Sequence, residues 1–191
     1  FFLRADISKT EIKKNSLDLI ICDQAIMHTN NPKKTLRHFN KILNKNGTLL
    51  CYWYKKKALP RELLDNFFLK NVKKLSNNKI FNFSKQMTIL GKNLSHINHE
   101  FYCPDIPILG IKRGYYNIQR FLYYNFIKCY YNNYFGDAVS DLTNFDWYSV
   151  SHAKKYDKKQ LINEVKECKF KFIKLIETDY SFSGKLKKIS D

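Results

Sequence analysis

The chain has 191 residues and a formal net charge of +17, and 44% of its residues are hydrophobic while 16% are aromatic. This composition excludes an intrinsically disordered chain, and no apolar run reaches the ~20 residues that a membrane-spanning helix needs. We therefore expect a single soluble globular domain. The sequence opens on Phe1 and no signal-peptide pattern follows it, which predicts a cytoplasmic protein and a fragment of a longer chain.

The five cysteines are widely spaced, and no two of them form a Cys-x-x-Cys pair. An odd number in this arrangement predicts buried free thiols in a reducing compartment, without disulfides or a zinc site. We therefore expect no bound metal. The cysteines are Cys22, Cys51, Cys103, Cys129 and Cys168.

The positive charge raises the question of a polyanionic partner, because phosphates attract clustered lysines and arginines. The lysines are instead spread through the chain, among many asparagine, isoleucine, tyrosine and phenylalanine residues. This distribution favours a solvated, lysine-rich surface. The three lysines at 55–57 and the lysine-rich C-terminal end keep a nucleic-acid partner open, although the distribution does not favour one.

The N-terminal residues predict two strand segments. Residues 1–6 form a short apolar run that ends at Asp6. This pattern is typical of the end of a strand before a loop. Residues 17–22 are apolar except for Asp18, which is typical of a parallel strand covered on both faces.

An amphipathic helix and another buried strand are predicted next. Asn31 is a suitable helix N-cap, and Pro32 fits the first helical position, where a missing N–H costs nothing. We expect the helix to end at Asn46-Gly47 and a buried strand to occupy residues 48–54. The apolar stripe of the helix comprises Leu36, Phe39, Ile42 and Leu43.

Residues 55–156 differ in character, because helical patterns dominate and strand-like runs are few. Helices are predicted at 61–69 and, with many tyrosines and phenylalanines, at 115–131. The aromatic side chains suit a helix that packs as a cap over the sheet, or else a platform for an aromatic substrate or nucleic acid. Residues 103–107 contain two prolines and predict a turn or an extended link.

The C-terminal residues return to a helix followed by strands. Asp157 is predicted to cap a helix, and Phe170–Glu177 has the pattern of a strand. Ser183-Gly184 indicates a turn into a last strand at 185–189, so the chain should close with an antiparallel hairpin.

Three segments together resemble class I S-adenosylmethionine-dependent methyltransferases. Residues 16–54 combine an apolar strand, the segment Met-His-Thr-Asn-Asn-Pro and a helix before Gly-Thr-Leu, as across the family's fourth and fifth strands. Residues 54–65 (YKKKALPRELLD) and 144–149 (NFDWYS), with His152, are similar to segments in a group of bacterial methyltransferases. Lys169 departs from that group, which has a glycine there before the sixth strand.

The resemblance implies an α/β fold: a partial Rossmann-like methyltransferase sheet whose C-terminal strands end in an antiparallel hairpin. Residues 1–54 would form the third to fifth strands, and 55–156 a large helical insertion or cap after the fifth. Residues 157–191 would add the closing helix and the antiparallel strand pair. We expect these parts to form one domain overall.

The resemblance also assigns cofactor-binding residues. Asp6 would accept a hydrogen bond from the adenine amino group of S-adenosylmethionine, and the Ile7 N–H would face a ring nitrogen. Asp23, Gln24 and Ala25 would line the methionine and methyl-donor portion. The alternative for Asp6 is a surface or capping carboxylate.

The catalytic candidates are His28, Tyr148 and His152. His28 is the titratable group best placed near the methyl, and its alternative is a helix-entry histidine bonded to backbone. Trp147, Tyr148 and His152 could equally anchor the insertion. Arg61, Glu62 and Asp65 could form a polar cluster, but surface helix charges are the default expectation.

The family's glycine-rich turn, Asp-x-Gly-x-Gly-x-Gly, is absent from this sequence. Two strand–helix units of about 30 residues each would precede residue 1 in the family. Without them, residues 1–6 should lack a neighbour and the strand at 17–22 should expose an apolar edge.

We therefore expect a methyltransferase acting on a small-molecule acceptor, of which this chain alone binds S-adenosylmethionine poorly and is inactive. The alternative is a basic, non-enzymatic module that binds nucleic acid or protein and has lost the cofactor site.

Overall fold

A computed structural model describes residues 2–150 and 153–189, with only the backbone of Lys73. The contacts group the chain into two compact units: a sheet unit, residues 1–56 with 152–191, and a helical unit, residues 57–151. In chain order the elements are β1 (Leu17–Cys22), α1 (Pro32–Ile42), β2 (Leu43–Lys55), α2 (Leu59–Asn71), α3 (Asn77–His96), β3 (Glu100–Cys103), β4 (Gly114–Asn117), α4 (Ile118–Asn125), α5 (Gly136–Ser149), β5 (Lys155–Tyr156), α6 (Lys158–Glu167), β6 (Phe170–Glu177) and β7 (Ser181–Lys188).

The sheet unit has the strand order β1-β2-β7-β6, with the short β5 beside β2. β1 and β2 are parallel, whereas β7 is antiparallel to both β2 and β6. This mixed sheet with helices confirms the predicted α/β class and its closing antiparallel hairpin.

The helix α1 begins where the sequence predicts. The Asn31 side chain accepts a hydrogen bond from the Lys34 N–H, and Pro32 occupies the first turn. The helix ends at Ile42 rather than at Asn46-Gly47, so the predicted end was wrong. The cause is long-range, because Leu43 already pairs with β1 and a register shift accommodates the residues before Thr48.

The core of the sheet unit lies on one face of the sheet. Alternate residues of β2, Leu49, Cys51 and Trp53, are buried with apolar residues of β7, α1 and α6. On β1, Leu19 is 50% exposed and Ile21 is 67% exposed. One sheet face is therefore covered, and the other keeps exposed apolar side chains.

The strand predicted at residues 1–6 is not formed in the described part of that segment, so this prediction was wrong. Residues 2–6 form no strand, and Phe2 and Leu3 are exposed. Among the described residues β1 is the terminal strand of the sheet.

The closing hairpin turns earlier than predicted. Its turn lies at 178–180, where the Thr178 N–H donates to the Ser181 carbonyl over 2.9 Å. Gly184 is in the middle of β7, where a Cβ would lie 2.6 Å from Cε1 of Phe172. The predicted turn at Ser183-Gly184 was wrong, because this glycine permits close packing rather than a bend.

The helical unit contains an antiparallel hairpin, β3 with β4, besides its helices. The predicted helix at 115–131 was wrong in extent. Its first residues belong to β4, and the Asn117 side chain then caps α4 by accepting a hydrogen bond from the Gln119 N–H. After Asn125 the chain leaves the helix and runs as an irregular segment.

That irregular segment is fixed by side chains of neighbouring helices. Asn144 accepts from the Tyr130 N–H over 2.9 Å, and it donates to the Tyr130 carbonyl and to Oγ1 of Thr88. Gln119 donates to the Cys129 carbonyl over 3.0 Å. Within the described residues, no helix combines the length and apolar character needed to cross a membrane.

Candidate functional site

The candidate site is built at the carboxyl ends of the parallel strands β1 and β2, where open α/β sheets bind ligands. Asp23 and Gln24 directly follow β1, and both are exposed. Gln24 has a φ of 47°, in the left-handed region that a side chain adopts only at a cost. This conformation turns the chain out of the strand into a short 3₁₀ turn, Ile26–His28.

The turn after β1 is held in place by buried residues and hydrogen bonds. Ile26 and Met27 are fully buried. Oγ1 of Thr29 donates to the Ile26 carbonyl over 2.7 Å, and the Lys154 N–H donates to the Met27 carbonyl over 3.0 Å. The segment that carries Asp23 and His28 is therefore anchored at its C-terminal end.

His28 lies beside the end of β2. Its ring and that of Tyr54 are edge-to-face with centroids 5.5 Å apart, and Tyr54 similarly contacts Tyr52 at 5.9 Å. His28 is half-buried, and its backbone N–H donates to the Ala25 carbonyl over 3.0 Å. The structure thus brings together Asp23, Gln24, Ala25 and His28 as predicted neighbours at one end of the sheet.

Cys22 and Cys51 are register partners on β1 and β2, directly before this site. A hydrogen bond with the Cys51 side chain lowers the pKa of Cys22, whereas burial raises the pKa of Cys51. All five cysteines are free and buried, which confirms the prediction from their spacing.

A cavity of about 380 Å³ lies on the sheet beside the same strand ends. Apolar side chains such as Ile21, Leu50 and Ile176 line most of it, and Asp23 is also part of the lining. Sequence reasoning did not predict this cavity. The sequence feature that could have indicated the cavity is the continuous apolar run of β1, because the outward-facing residues of this strand are not covered.

Asp6 and Ile7 lie in the N-terminal segment. Oδ1 of Asp6 accepts a hydrogen bond from the Ser8 N–H over 2.8 Å, and this bond holds the pKa of Asp6 below its ordinary value. Ile7 is half-buried against the core of the sheet unit. Among the described residues, no hydrogen bond joins Asp6 to the turn after β1.

Tyr148 belongs to the helical unit and is buried. Its hydroxyl donates to the Lys128 carbonyl over 2.6 Å, and its ring meets Phe68 and Phe83 with centroids 5.1 and 4.8 Å away. Burial raises the pKa of Tyr148. These contacts suit an anchor within the unit. The third catalytic candidate, His152, lies outside the described residues.

Arg61 and Asp65 are not surface charges, contrary to the default expectation. Both side chains are buried, and Nε of Arg61 donates to Oδ1 of Asp65 over 2.7 Å. Their i, i+4 spacing allows the pair, but the sequence did not reveal its burial. Among the residues that the structure describes, no three histidine, cysteine or acidic side chains are grouped for a metal ion.

Solved structures with similar backbones are known, although their sequences differ strongly. PKMT2 from Rickettsia typhi is 13% identical with a TM-score of 0.55, over 96% of this chain and 37% of that one. An S-adenosylmethionine-dependent methyltransferase from Methanosarcina mazei is 10% identical with a TM-score of 0.44, over 98% and 66%. A Burkholderia thailandensis N1-methyltransferase with bound S-adenosylhomocysteine is 6% identical with a TM-score of 0.47, over 99% and 51%.

This chain thus spans less than two thirds of the length of each of these three structures. The sequence matches none of the curated proteins with which it was compared. A family model described as a methyltransferase domain matches residues 2–121, which is more than half of the chain. The chain therefore belongs to the methyltransferase-domain family.

Proposed function

We propose that this chain forms part of an S-adenosylmethionine-dependent methyltransferase that methylates a small-molecule acceptor. The observation that carries the proposal is the family match over residues 2–121, which includes the strand ends with Asp23 and His28. Ligands of open α/β sheets bind at such strand ends.

The residues after β1 fit one side of the cofactor. Asp23 and Gln24 are exposed at the strand end, so their side chains can hold the polar amino-acid portion of S-adenosylmethionine. The cavity beside them is lined mainly by apolar side chains, and it offers room for part of a ligand. When bound, the cofactor supplies a methyl group on a sulfonium centre with a good leaving group.

His28 is proposed to position the acceptor and to take up its proton where the acceptor must lose one. Its ring is half-buried, packed against Tyr54, and attached to an anchored turn. Fixed orientation is the main contribution a protein makes to such a transfer. Asp6 and the Ile7 N–H are proposed to contact the adenine.

A small-molecule acceptor rather than a macromolecule is proposed from the aromatic side chains of the helical unit. Phe101, Tyr116, Phe121 and Phe126 form one aromatic cluster in that unit. Large apolar rings with few charges between them suit the recognition of a compact acceptor better than that of a polyanion.

The test is transfer of labelled methyl from S-adenosylmethionine by the protein expressed from its complete coding sequence. We expect incorporation into small molecules of a metabolite extract. His28→Asn should lower the rate by about 10²-fold or more if the ring transfers a proton. An exposed histidine of the helical unit supplies the matched control, and His99→Asn should leave the rate unchanged. Equal rates for His28→Asn and the control would remove His28 from the proposed machinery.

A second measurement separates the enzyme from a basic binding module. We expect the 191-residue chain to bind S-adenosylmethionine weakly in calorimetry, because the sequence has no glycine-rich turn. Tight binding by this chain alone would overturn that expectation. A coding sequence with no Asp-x-Gly-x-Gly turn about 60 residues upstream, together with no methyl transfer, would favour the module.

A further inference from the structure

The helical unit contains a group of cations that surrounds two aromatic rings, here named the cation–aromatic cluster: Lys57, Arg61, Asp65, Tyr123, Lys128 and Trp147. The side-chain nitrogens of Lys57 and Lys128 lie 5.8 and 4.9 Å from the Tyr123 ring centroid. The same nitrogens lie 5.4 and 5.2 Å from the Trp147 ring centroid. The guanidinium carbon of Arg61 is 5.6 Å from the Tyr123 ring centroid and 5.4 Å from the Trp147 ring centroid. Three basic side chains therefore converge on one place.

Arg61 is fully buried, and two of its three nitrogens have partners. Nε donates to Asp65, and Nη1 donates to the Tyr123 carbonyl. Nη2 is buried and has no hydrogen-bond partner among the described residues. A buried charged donor without a partner is costly, so an acceptor that reached this nitrogen would be favoured.

Lys128 is also buried, with 8% of its surface exposed, and its Nζ donates to the Tyr123 hydroxyl over 2.9 Å. Burial is the main cause that lowers the pKa of Lys128 to about 7, and the Arg61 charge lowers it further. Asp65 and Asp146 act in the opposite direction. Burial thus disfavours the charged form of Lys128, and the neighbouring Arg61 charge adds to this effect.

The buried charges in this cluster do not balance. Arg61 and Lys128 are both buried, and Asp65 is the one buried carboxylate among the residues the structure describes. The half-buried Lys57 adds a third cation beside them. A ligand that brings negative charge and several acceptor oxygens would give Arg61 Nη2 the partner that it lacks, and it would add charge-assisted contacts to Lys57 and Lys128. A phosphate group has three terminal oxygens for these three cations, whereas a carboxylate has two.

We propose that the helical unit binds a phosphate monoester through Lys57, Arg61 and Lys128, against the rings of Tyr123 and Trp147. The two rings are half-buried and so provide the approach for the organic part of the ligand. This site does not depend on methyl transfer, because its residues all belong to the helical unit and its occupancy is measured without S-adenosylmethionine.

The two tryptophans of the chain offer a direct test with an internal control. Inorganic phosphate is titrated into the ¹⁵N-labelled 191-residue chain, and the two indole N–H signals are followed by NMR. Trp147 belongs to the cluster, whereas Trp53 is buried in the core of the sheet unit. We expect the Trp147 signal to shift with saturation while the Trp53 signal stays. An unmoved Trp147 signal, or equal shifts at both, would overturn the site.

Variants test which cations take part. Lys128→Met and Arg61→Lys should each weaken phosphate binding by about tenfold or more, because each removes a charge-assisted hydrogen bond. Lys92→Met is the matched control, since Lys92 also lies over a tyrosine ring of this unit but is exposed and paired with Asp137. Equal weakening by the control would show a general charge effect and contradict the proposal.

Other anions test the ligand class. Sodium chloride at matched ionic strength should leave the Trp147 signal unshifted. Acetate should bind at least tenfold more weakly than phosphate, because it has less negative charge and fewer acceptor oxygens. Acetate binding equal to that of phosphate would assign the cluster to carboxylates and overturn the phosphate assignment.

Discussion

The two units of this chain have different interiors. The core of the sheet unit is a continuous apolar cluster that includes Trp53, Phe170 and Phe182. Nine of the eleven buried polar residues among those described lie in the helical unit, and just Thr35 and Ser181 lie in the sheet unit. The nine are Arg61, Asp65, Ser84, Thr88, Gln119, Asn125, Lys128, Ser140 and Asn144.

This difference predicts different sensitivities to substitution. A polar interior is stable only where its groups are paired, so removing one partner leaves another group buried and unsatisfied. An apolar interior responds instead to volume and shape. The helical unit should therefore be most sensitive to changes of charge and hydrogen bonding, and the sheet unit to changes of size.

The largest effect is expected from Asp65→Asn. The substitution preserves shape but removes the charge that balances Arg61, which is fully buried. An uncompensated buried charge costs about 3–5 kcal/mol, so the free energy of unfolding of the helical unit should fall by that amount. The measurement is urea unfolding followed through the Trp147 indole signal.

The exposed pair of Lys92 and Asp137 serves as the control for that loss. The atoms of this pair are 2.9 Å apart, but the side chains are 36% and 58% exposed. Asp137→Asn should cost about 1 kcal/mol or less, because exposed ion pairs contribute little. Similar losses at both positions would contradict the importance of buried charge in this unit.

A smaller effect, in the sheet unit, is expected from Gly184→Ala. The added Cβ would lie 2.6 Å from Cε1 of Phe172 and 3.1 Å from Cζ3 of Trp53. Such overpacking costs about 1–3 kcal/mol in the free energy of unfolding, followed through the Trp53 indole signal. The double variant with Phe172→Leu should recover part of this loss. No recovery would mean that the strain lies in the backbone instead of in the packing of the rings.

The sheet unit also shows how much of the fold could be predicted from the sequence. The strand–helix–strand segment at 17–55 and the closing helix and hairpin carry local signals, such as the Asn31 cap and the capping box of Asp157 with Gln160. Gly184 was misread because glycine signals a turn locally, whereas its role in β7 depends on Phe172 from another strand. Contacts distant in sequence decide such cases.

The candidate sites divide in the same way. The site residues after β1 stay a prediction, which came from a recognisable strand and a resemblance to a known family. Arg61 was considered for a polar cluster, but neither its burial nor the part of Lys128 was predicted, because charged residues on a helix or in an irregular segment are usually exposed. Their burial depends on Tyr123 and Trp147, which are far from Arg61 in sequence.

A gain of about 1 kcal/mol is expected from Lys169→Gly in the sheet unit, because a non-glycine residue pays about this much in the left-handed region. Lys169 has a φ of 57° and follows α6 at the position where the resembling methyltransferases have glycine. Its carbonyl accepts from Asn40 over 2.9 Å, which the substitution preserves. The free energy of unfolding is measured beside that of Lys166→Gly, which lies inside α6 and should lose about 1 kcal/mol. A loss in both variants would contradict relief of strain at residue 169.

The smallest effect concerns pH and the attachment of the N-terminal segment to α1. Nε2 of His38 accepts from the Thr10 N–H over 3.1 Å and lies 2.7 Å from Oγ1 of Thr10. Burial, and then the charge of Lys41, lower the pKa of His38 in the folded chain. The unfolded chain therefore binds more protons, so this contribution to stability is complete at neutral pH. It is lost as the pH falls below about 6.5 toward the lowered pKa.

His38→Gln keeps an acceptor that does not titrate, and it should flatten the decline in the free energy of unfolding over this range. An unchanged slope in the variant would show that other groups cause the decline, and that Thr10 is held independently of the charge on His38.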